Sequence, residues 1–122
     1  MHGITNFLED HGVEGQAVYR INLAMEELIT NTIKFGYADY DSHNIDIALE
    51  VGDEDVIATI QDDGREFDPI AQKEVDLNIP LEDRRIGGLG IHLLKKLLDS
   101  IEYRREGHRN IISIRTRRIP AA

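Results

Sequence analysis

The chain has 122 residues, a length that suits one compact domain with its own core and is too short for two. Its net charge of −9 argues against general nucleic-acid affinity, because phosphate backbones are bound by clustered Lys and Arg, and no apolar run is long enough to predict a membrane span. It has no cysteine and no signal-peptide pattern, so we expect a cytoplasmic protein without disulfides or thiolate metal sites.

The spacing of apolar residues predicts two helices in the first third of the chain. A short helix covers residues 3–11 and ends at Gly12, and a long helix runs from about Glu14 to Phe35 and ends at Gly36. The apolar stripe of the long helix consists of Val18, Ile21, Met25, Leu28, Ile29 and Thr32.

Alternation of apolar and polar residues predicts two hairpins in the rest of the chain. Their strands cover residues 44–51 with 55–61, and 100–106 with 110–117. Between the hairpins lie a proline-containing loop at 69–86 and a helix at about 89–99. This order predicts an α+β fold, a two-layer α/β sandwich with helices on one face of a mixed, mainly antiparallel sheet.

Three polar side chains share one face of the long helix. At about 100° per residue, Asn31 lies about 40° from Glu27, and Lys34 lies about 20° from Glu27 on the other side. The apolar stripe is expected roughly opposite. A carboxylate, an amide and an ammonium in this arrangement could bind a metal ion and phosphates while Glu27 accepts a proton. An ordinary charged solvent face fits the same pattern.

Asp62 directly follows the second predicted strand, and Gly64 allows a tight turn or the close approach of a ligand. A buried Asp at a strand end can accept hydrogen bonds from an exocyclic amine such as that of adenine. A plain Asp-Gly turn is the alternative. The nearby Asp63 and Asp68 do not complete the spacing of an EF-hand calcium loop.

Three glycines, Gly87, Gly88 and Gly90, precede or open the third predicted helix. Amides at a helix N-terminus bind phosphate well, and glycines let the backbone come close to it. The context of a dinucleotide fold and the Gly-Lys-Ser/Thr of a Walker loop are both absent from this segment. A glycine-rich hinge remains the alternative to a phosphate loop.

Taken in order, these segments resemble the three boxes of the GHKL ATPase superfamily. The boxes are Glu27-x-x-x-Asn31-x-x-Lys34 (N box), Asp62-x-Gly64 (G1 box) and Gly88-x-Gly90 (G2 box). The runs LAMEELITNTIKFGY, IQDDGREFDP and GGLGIHLLKKLLDSIEY resemble the anti-sigma-factor serine kinases, which are stand-alone HATPase domains of bacterial stress and sporulation switches. The resemblance extends from about residue 3 to residue 116.

The resemblance implies a Bergerat-type ATP-binding fold, a single HATPase domain over residues 1–122 and an ATP lid at about 69–87. It implies ATP and Mg²⁺ as cofactors. The implied roles are Glu27 as general base, Asn31 as Mg²⁺ ligand, Lys34 at the phosphates, Asp62 at the adenine amino group with Gly64 shaping that pocket, and Gly88, Leu89 and Gly90 at the phosphates.

The implied activity is transfer of the γ-phosphoryl group of ATP to a serine of an anti-sigma factor antagonist, with a sigma factor as a second partner. Neither nucleic acid nor a membrane is an expected direct partner, and the resemblance leaves room for a homodimer because relatives commonly dimerise. Two other functions stay open. One is a non-catalytic module whose partner binding depends on ATP, and the other is the ATP-binding domain of a histidine kinase.

Two residues depart from the family pattern. Phe35 stands where many relatives carry histidine, and Glu66 stands where proline is common. Neither change removes an implied ligand. Glu66 adds negative charge near the expected nucleotide, so we expect weaker or altered binding.

Overall fold

The computed structural model describes residues 2–36, 44–70 and 88–118, which form three helices and a four-stranded sheet. The elements are α1 (His2–Asp10), α2 (Gly15–Gly36), β1 (Ile45–Val51), β2 (Asp55–Asp62), α3 (Gly88–Leu97), β3 (Ser100–Glu106) and β4 (Arg109–Arg117). Every predicted element is confirmed, with its ends displaced by no more than two residues. No helix among the described residues is long and apolar enough to cross a membrane.

The four strands form one sheet in the order β1-β2-β4-β3, and each described pair is antiparallel. Helix α2 packs on the two central strands, and it also contacts α1 and α3. The buried residues of β2 alternate along the strand, so one face of the sheet carries the core. The predicted α+β class with helices on one sheet face is confirmed.

The strand register aligns buried side chains in rows across the sheet. Three rows are largely apolar and pair Val56 with Thr116, Ala58 with Ile114, and Ile60 with Ile112. The next row is polar, because Asp62 lies opposite Asn110, and Asn110 lies opposite Arg105 of β3. Alternate residues of a strand face the same side, so Asp62 and Asn110 face the helical layer from one end of the sheet.

The buried face of α2 is wider than the sequence predicted. It consists of Ala17, Val18, Ile21, Ala24, Met25, Leu28, Asn31 and Thr32. The expectation that Asn31 lies opposite the apolar stripe is wrong, since Asn31 is at the edge of this face and only 2% exposed. The reason is that α2 packs against two helices as well as the sheet, which covers more of its circumference than one layer would.

Hydrogen bonds connect the end of α1, the β1–β2 turn and the residue after β4. Helix α1 ends at Asp10, and the chain turns at Gly12, whose φ is 74°, so that the amide of Val13 donates to the carbonyl of Leu8 at 3.0 Å. Arg118, just after β4, donates from Nη1 to the carbonyl of Gly52 at 2.7 Å and from Nη2 to that of His11 at 2.8 Å. One side chain therefore links the β1–β2 turn to the end of α1.

Candidate ATP-binding site

Asp62 is the last residue of β2, one residue beyond the predicted end of this strand, and it is only 3% exposed. Its Oδ1 accepts a hydrogen bond from the backbone amide of Gly64 at 2.8 Å and another from Nδ2 of Asn110 at 3.1 Å. The first bond closes a local turn, and the second comes from the neighbouring strand. The carboxylate is therefore held from both sides at one of its oxygens.

Asn110 is the centre of the polar cluster around this loop, and sequence reasoning missed it. Besides Asp62, its Nδ2 donates to the carbonyl of Arg65 at 2.8 Å. Its Oδ1 accepts from the hydroxyl of Tyr103 at 2.6 Å and from Nη1 of Arg105 at 3.0 Å. One buried amide thus joins the end of β2, the residues after it and strand β3.

We call residues 62–67 the G1 loop. Backbone atoms of this loop also form hydrogen bonds with side chains of the last hairpin. Nη1 of Arg105 donates to the carbonyl of Gly64 at 2.7 Å, and the amide of Phe67 donates to Oδ1 of Asn110 at 3.4 Å. Gly64 itself is buried. The loop is therefore shaped before any ligand arrives, which lowers the ordering cost of binding.

Tyr103 has a perturbed hydroxyl at the edge of this cluster. Burial raises its pKa above the ordinary value of 10.0, and the negative charges of Glu66 and Asp68 raise it further. The positive charge of Arg105 and a backbone hydrogen bond from Phe67 act in the opposite direction. At neutral pH the hydroxyl is protonated, so it can donate to Asn110.

Glu27 and Asn31 meet on α2, as the helical spacing predicted. Nδ2 of the buried Asn31 donates to Oε1 of the half-buried Glu27 at 3.4 Å. Because the amide nitrogen of Asn31 is directed at Glu27, its amide oxygen points away from that carboxylate and is an atom of the kind that coordinates hard cations. Mg²⁺ prefers oxygen ligands, so the residues present here fit such a cation. Lys34 belongs to the same helix, but its side chain lies outside the described residues.

Two of the three glycines of the predicted phosphate loop lie at the start of α3. The helix begins at Gly88, so Gly88 and Gly90 both fall in its first turn, whereas Gly87 lies outside the described residues. The first turn carries no acidic side chain, so no carboxylate of that turn offsets the positive end of the helix dipole. Of Leu89 only the backbone is described.

Other parts of the expected site are only partly described. Residues 71–87 of the predicted lid and the side chain of Phe35 lie outside the described residues. At the start of the predicted lid, Pro69 is buried and the amide of Ile70 donates to Oδ1 of Asp68 at 2.9 Å. Glu66 is exposed.

An apolar groove lies elsewhere, between α1, α2 and β1. It has a volume of about 680 Å³ and is lined by Gly3, Ile4, Phe7, Ile29, Ile47 and Leu49. None of these is a predicted site residue. Because none of the described residues that line this groove has a charged or hydrogen-bonding side chain, the polar cluster at Asp62 is the better candidate for a nucleotide.

Comparison with known proteins identifies the family. A model of the histidine kinase-like ATPase domain matches residues 1–116. The chain belongs to this family. Two curated relatives of this HATPase domain are the serine-protein kinase RsbW of Listeria monocytogenes, 28% identical over 75% of this chain and 60% of the relative, and the anti-sigma F factor of Clostridium novyi, 25% identical over 66% and 57%. The resemblance to anti-sigma-factor kinases is thus confirmed, although the chain spans only about 60% of these relatives' length.

Solved structures agree with the family assignment. The histidine kinase AdeS of Acinetobacter baumannii is 26% identical, with a TM-score of 0.54 over 82% of this chain and 46% of that chain. The histidine kinase domain of a blue-light activated kinase from Erythrobacter litoralis EL346 has a TM-score of 0.56 at 22% identity, over 83% of this chain and 44% of the other. These similarities establish that the HATPase domain shares the fold of histidine kinase ATP-binding domains.

Proposed function

We propose that this HATPase domain binds Mg-ATP and is a serine protein kinase that phosphorylates an anti-sigma factor antagonist and sequesters a sigma factor. The observation that carries the proposal is the buried carboxylate of Asp62, which is held at Oδ1 at the end of β2 in a chain of the ATPase family. Family membership supports nucleotide use, and the names of the curated relatives support the choice of serine as acceptor.

We assign the adenine amino group to Oδ2 of Asp62. Oδ1 already accepts two hydrogen bonds, from Gly64 and Asn110, so the second oxygen is the one directed to a ligand. Guanine carries a carbonyl where adenine carries the amino group. A carboxylate at that position would face an acceptor, and a buried site discriminates strongly against such a mismatch. The proposal therefore includes a preference for adenine over guanine nucleotides.

At the other end of the nucleotide, the N-terminal amides of α3 and the side chains of Lys34 and Asn31 are assigned to the phosphates and their cation. When bound, ATP would supply the phosphoryl group that is transferred, and Mg²⁺ would neutralise part of the negative charge of its phosphates. Asn31 donates to Oε1 of Glu27, which orients that carboxylate. Oε2 of Glu27 would then accept the proton of the substrate serine as the serine oxygen bonds to the γ-phosphorus. The bond from that phosphorus to the β–γ bridging oxygen would break, and ADP would leave.

The test uses Glu27→Gln, which keeps the size of the side chain and removes its basicity. We expect Mg-ATP affinity within about three-fold of wild type and a loss of about 100-fold or more in phosphotransfer, the usual contribution of a general base. Phosphoserine on the antagonist protein encoded nearest in the genome is measured by mass spectrometry. Glu26→Gln, at an exposed position of the same helix, is the matched control and should transfer phosphate normally.

Three results would contradict the proposal. Unchanged phosphotransfer by Glu27→Gln would remove Glu27 as the base. If wild-type protein transfers no phosphate to any candidate antagonist while ATP tightens partner binding, the domain is a non-catalytic ATP-dependent module. Autophosphorylation on histidine would instead point to the chemistry of histidine kinases, with which the domain shares its fold.

A further inference from the structure

We propose that Asn110 is the positioning residue of the nucleotide site: its amide sets the orientation of the Asp62 carboxylate and the shape of the G1 loop for adenine. This inference rests on the proposed ATP binding. It adds a residue that lies in sequence 48 positions from Asp62 and reaches it only through the pairing of β2 with β4.

The contacts of Asn110 divide cleanly between its two polar atoms. Nδ2 donates to Oδ1 of Asp62 at 3.1 Å and to the carbonyl of Arg65 at 2.8 Å. Both of these partners can only accept. A carboxyl or an aliphatic side chain of the same size could not supply both hydrogens, so this position requires an amide.

The amide cannot rotate by half a turn without losing its partners. On the opposite side, Oδ1 of Asn110 accepts from Nη1 of Arg105 at 3.0 Å and from the hydroxyl of Tyr103 at 2.6 Å. A guanidinium can only donate, so it fixes the oxygen on its own side. The nitrogen is then necessarily directed at Asp62. Tyr103 therefore acts on the site through Asn110, whereas Arg105 acts both through Asn110 and through its own hydrogen bond to the carbonyl of Gly64.

Because Asn110 and Asp62 are buried, the loss of a hydrogen bond between them is expected to weaken ligand binding. Asn110 and Asp62 are each 3% exposed, so little water can replace a lost partner. If Nδ2 is removed, Oδ1 of Asp62 keeps only the backbone amide of Gly64, and the carboxylate can turn. The adenine amino group would then meet a carboxylate that has more than one orientation.

The substitution Asn110→Asp gives this role a signature in pH. It places a second carboxyl group against Asp62, and two such carboxylates cannot both ionise at low cost, so the pair retains one proton at a raised pKa. The positive charge of Arg105 favours negative charge on the oxygen of the introduced carboxyl group that faces β3. The shared proton is then on the other oxygen of that group, which faces Asp62. In that protonated form the introduced group donates to Asp62 as the amide did. The loop beside this cluster also carries the charges of Asp63, Arg65 and Glu66, which are exposed, and Asp68 follows it. Tyr103 stays protonated below pH 10, because its pKa is raised above that value.

The experiment measures Mg-ADP affinity by calorimetry from pH 5 to pH 9, as a ratio to wild type at each pH. We expect Asn110→Asp to bind at least ten-fold more weakly at high pH and to recover toward wild type as the pH falls. Asn110→Leu, the matched control without a titrating group, should be weakened at every pH with no recovery. Tyr103→Phe removes only one partner of the amide and should weaken binding about two- to ten-fold.

The following results would overturn the positioning role of Asn110 or the proposed function. A ratio for Asn110→Asp that stays at one, or that is lowered but flat in pH like that of Asn110→Leu, overturns the positioning role. If Asn110→Asp fails to fold, wild-type affinity in Tyr103→Phe overturns it. If wild-type protein binds neither Mg-ADP nor Mg-ATP, the proposed function itself fails, which is distinct from binding that is insensitive to residue 110.

Discussion

Tyr103 shows at the scale of one residue how the site and the stability of the fold are coupled. Its hydroxyl donates to Asn110, and burial together with Glu66 raises its pKa above 10.0. The folded state thus holds this proton more tightly than the unfolded chain does. The stabilisation is fully present below pH 10 and is lost as the pH rises through the raised folded-state pKa.

We therefore predict that Tyr103→Phe is less stable than wild type by about 1 kcal/mol at pH 8, the usual worth of one hydrogen bond. The difference should shrink above pH 10, because only wild type loses stability through this group. Urea unfolding at pH 8 and pH 11 measures both gaps. A gap that widens at pH 11 would show that the direction assigned to the pKa is wrong.

Single residues of the site were predictable to different degrees. The burial of Asp62 followed from its place after Val56, Ala58 and Ile60 in an alternating strand. Asn110 has the same signal, because it precedes the inward-facing Ile112 and Ile114 by even steps, yet its partner depends on register. Register between β2 and β4 is a tertiary property, and no local pattern encodes which residue lies opposite Asp62.

At the scale of elements, helices and strands were predicted well because each has a regular apolar period. The buried face of α2 was predicted less well. Its edge residues Ala24 and Asn31 are covered because α1, α3 and the sheet all pack on this helix. A helical wheel describes one apolar stripe, and the number of layers that will cover it is decided by the rest of the fold.

The contacts of Arg118 predict a measurable link between elements. Arg118→Ala removes hydrogen bonds to the carbonyls of Gly52 and His11, and we expect a loss of about 1–2 kcal/mol in unfolding free energy. Arg117→Ala, whose side chain is exposed, is the matched control and should stay within about 0.5 kcal/mol of wild type. Equal stabilities for the two variants in thermal and urea unfolding would refute the link.

At the scale of the whole molecule, the order of elements was enough to predict the fold class. The two hairpins were also predictable, since each joins adjacent strands through a short turn. The order β1-β2-β4-β3 was not predicted, because either edge of one hairpin could pair with either edge of the other. The pairing of β2 with β4 is what brings Asn110 and Arg105 to the G1 loop.

This arrangement makes Asp62 the residue on which the whole account depends. The HATPase family supplies the expectation of ATP, and the sheet register supplies the partners that hold the carboxylate. The substitution Asp62→Asn replaces Oδ2 by an amide nitrogen. That nitrogen is a hydrogen-bond donor, and it would face the amino group of adenine, which is also a donor. The lost bond to a charged group and the mismatch together should cost at least ten-fold in affinity.

The most direct test is calorimetry of Mg-ATP binding to wild type, Asp62→Asn and the control Asp63→Asn, which changes the exposed neighbouring carboxylate. We predict measurable binding by wild type and by Asp63→Asn, and at least ten-fold weaker binding by Asp62→Asn while its thermal unfolding remains cooperative. Undiminished binding by a folded Asp62→Asn variant would contradict the assignment of this loop to adenine.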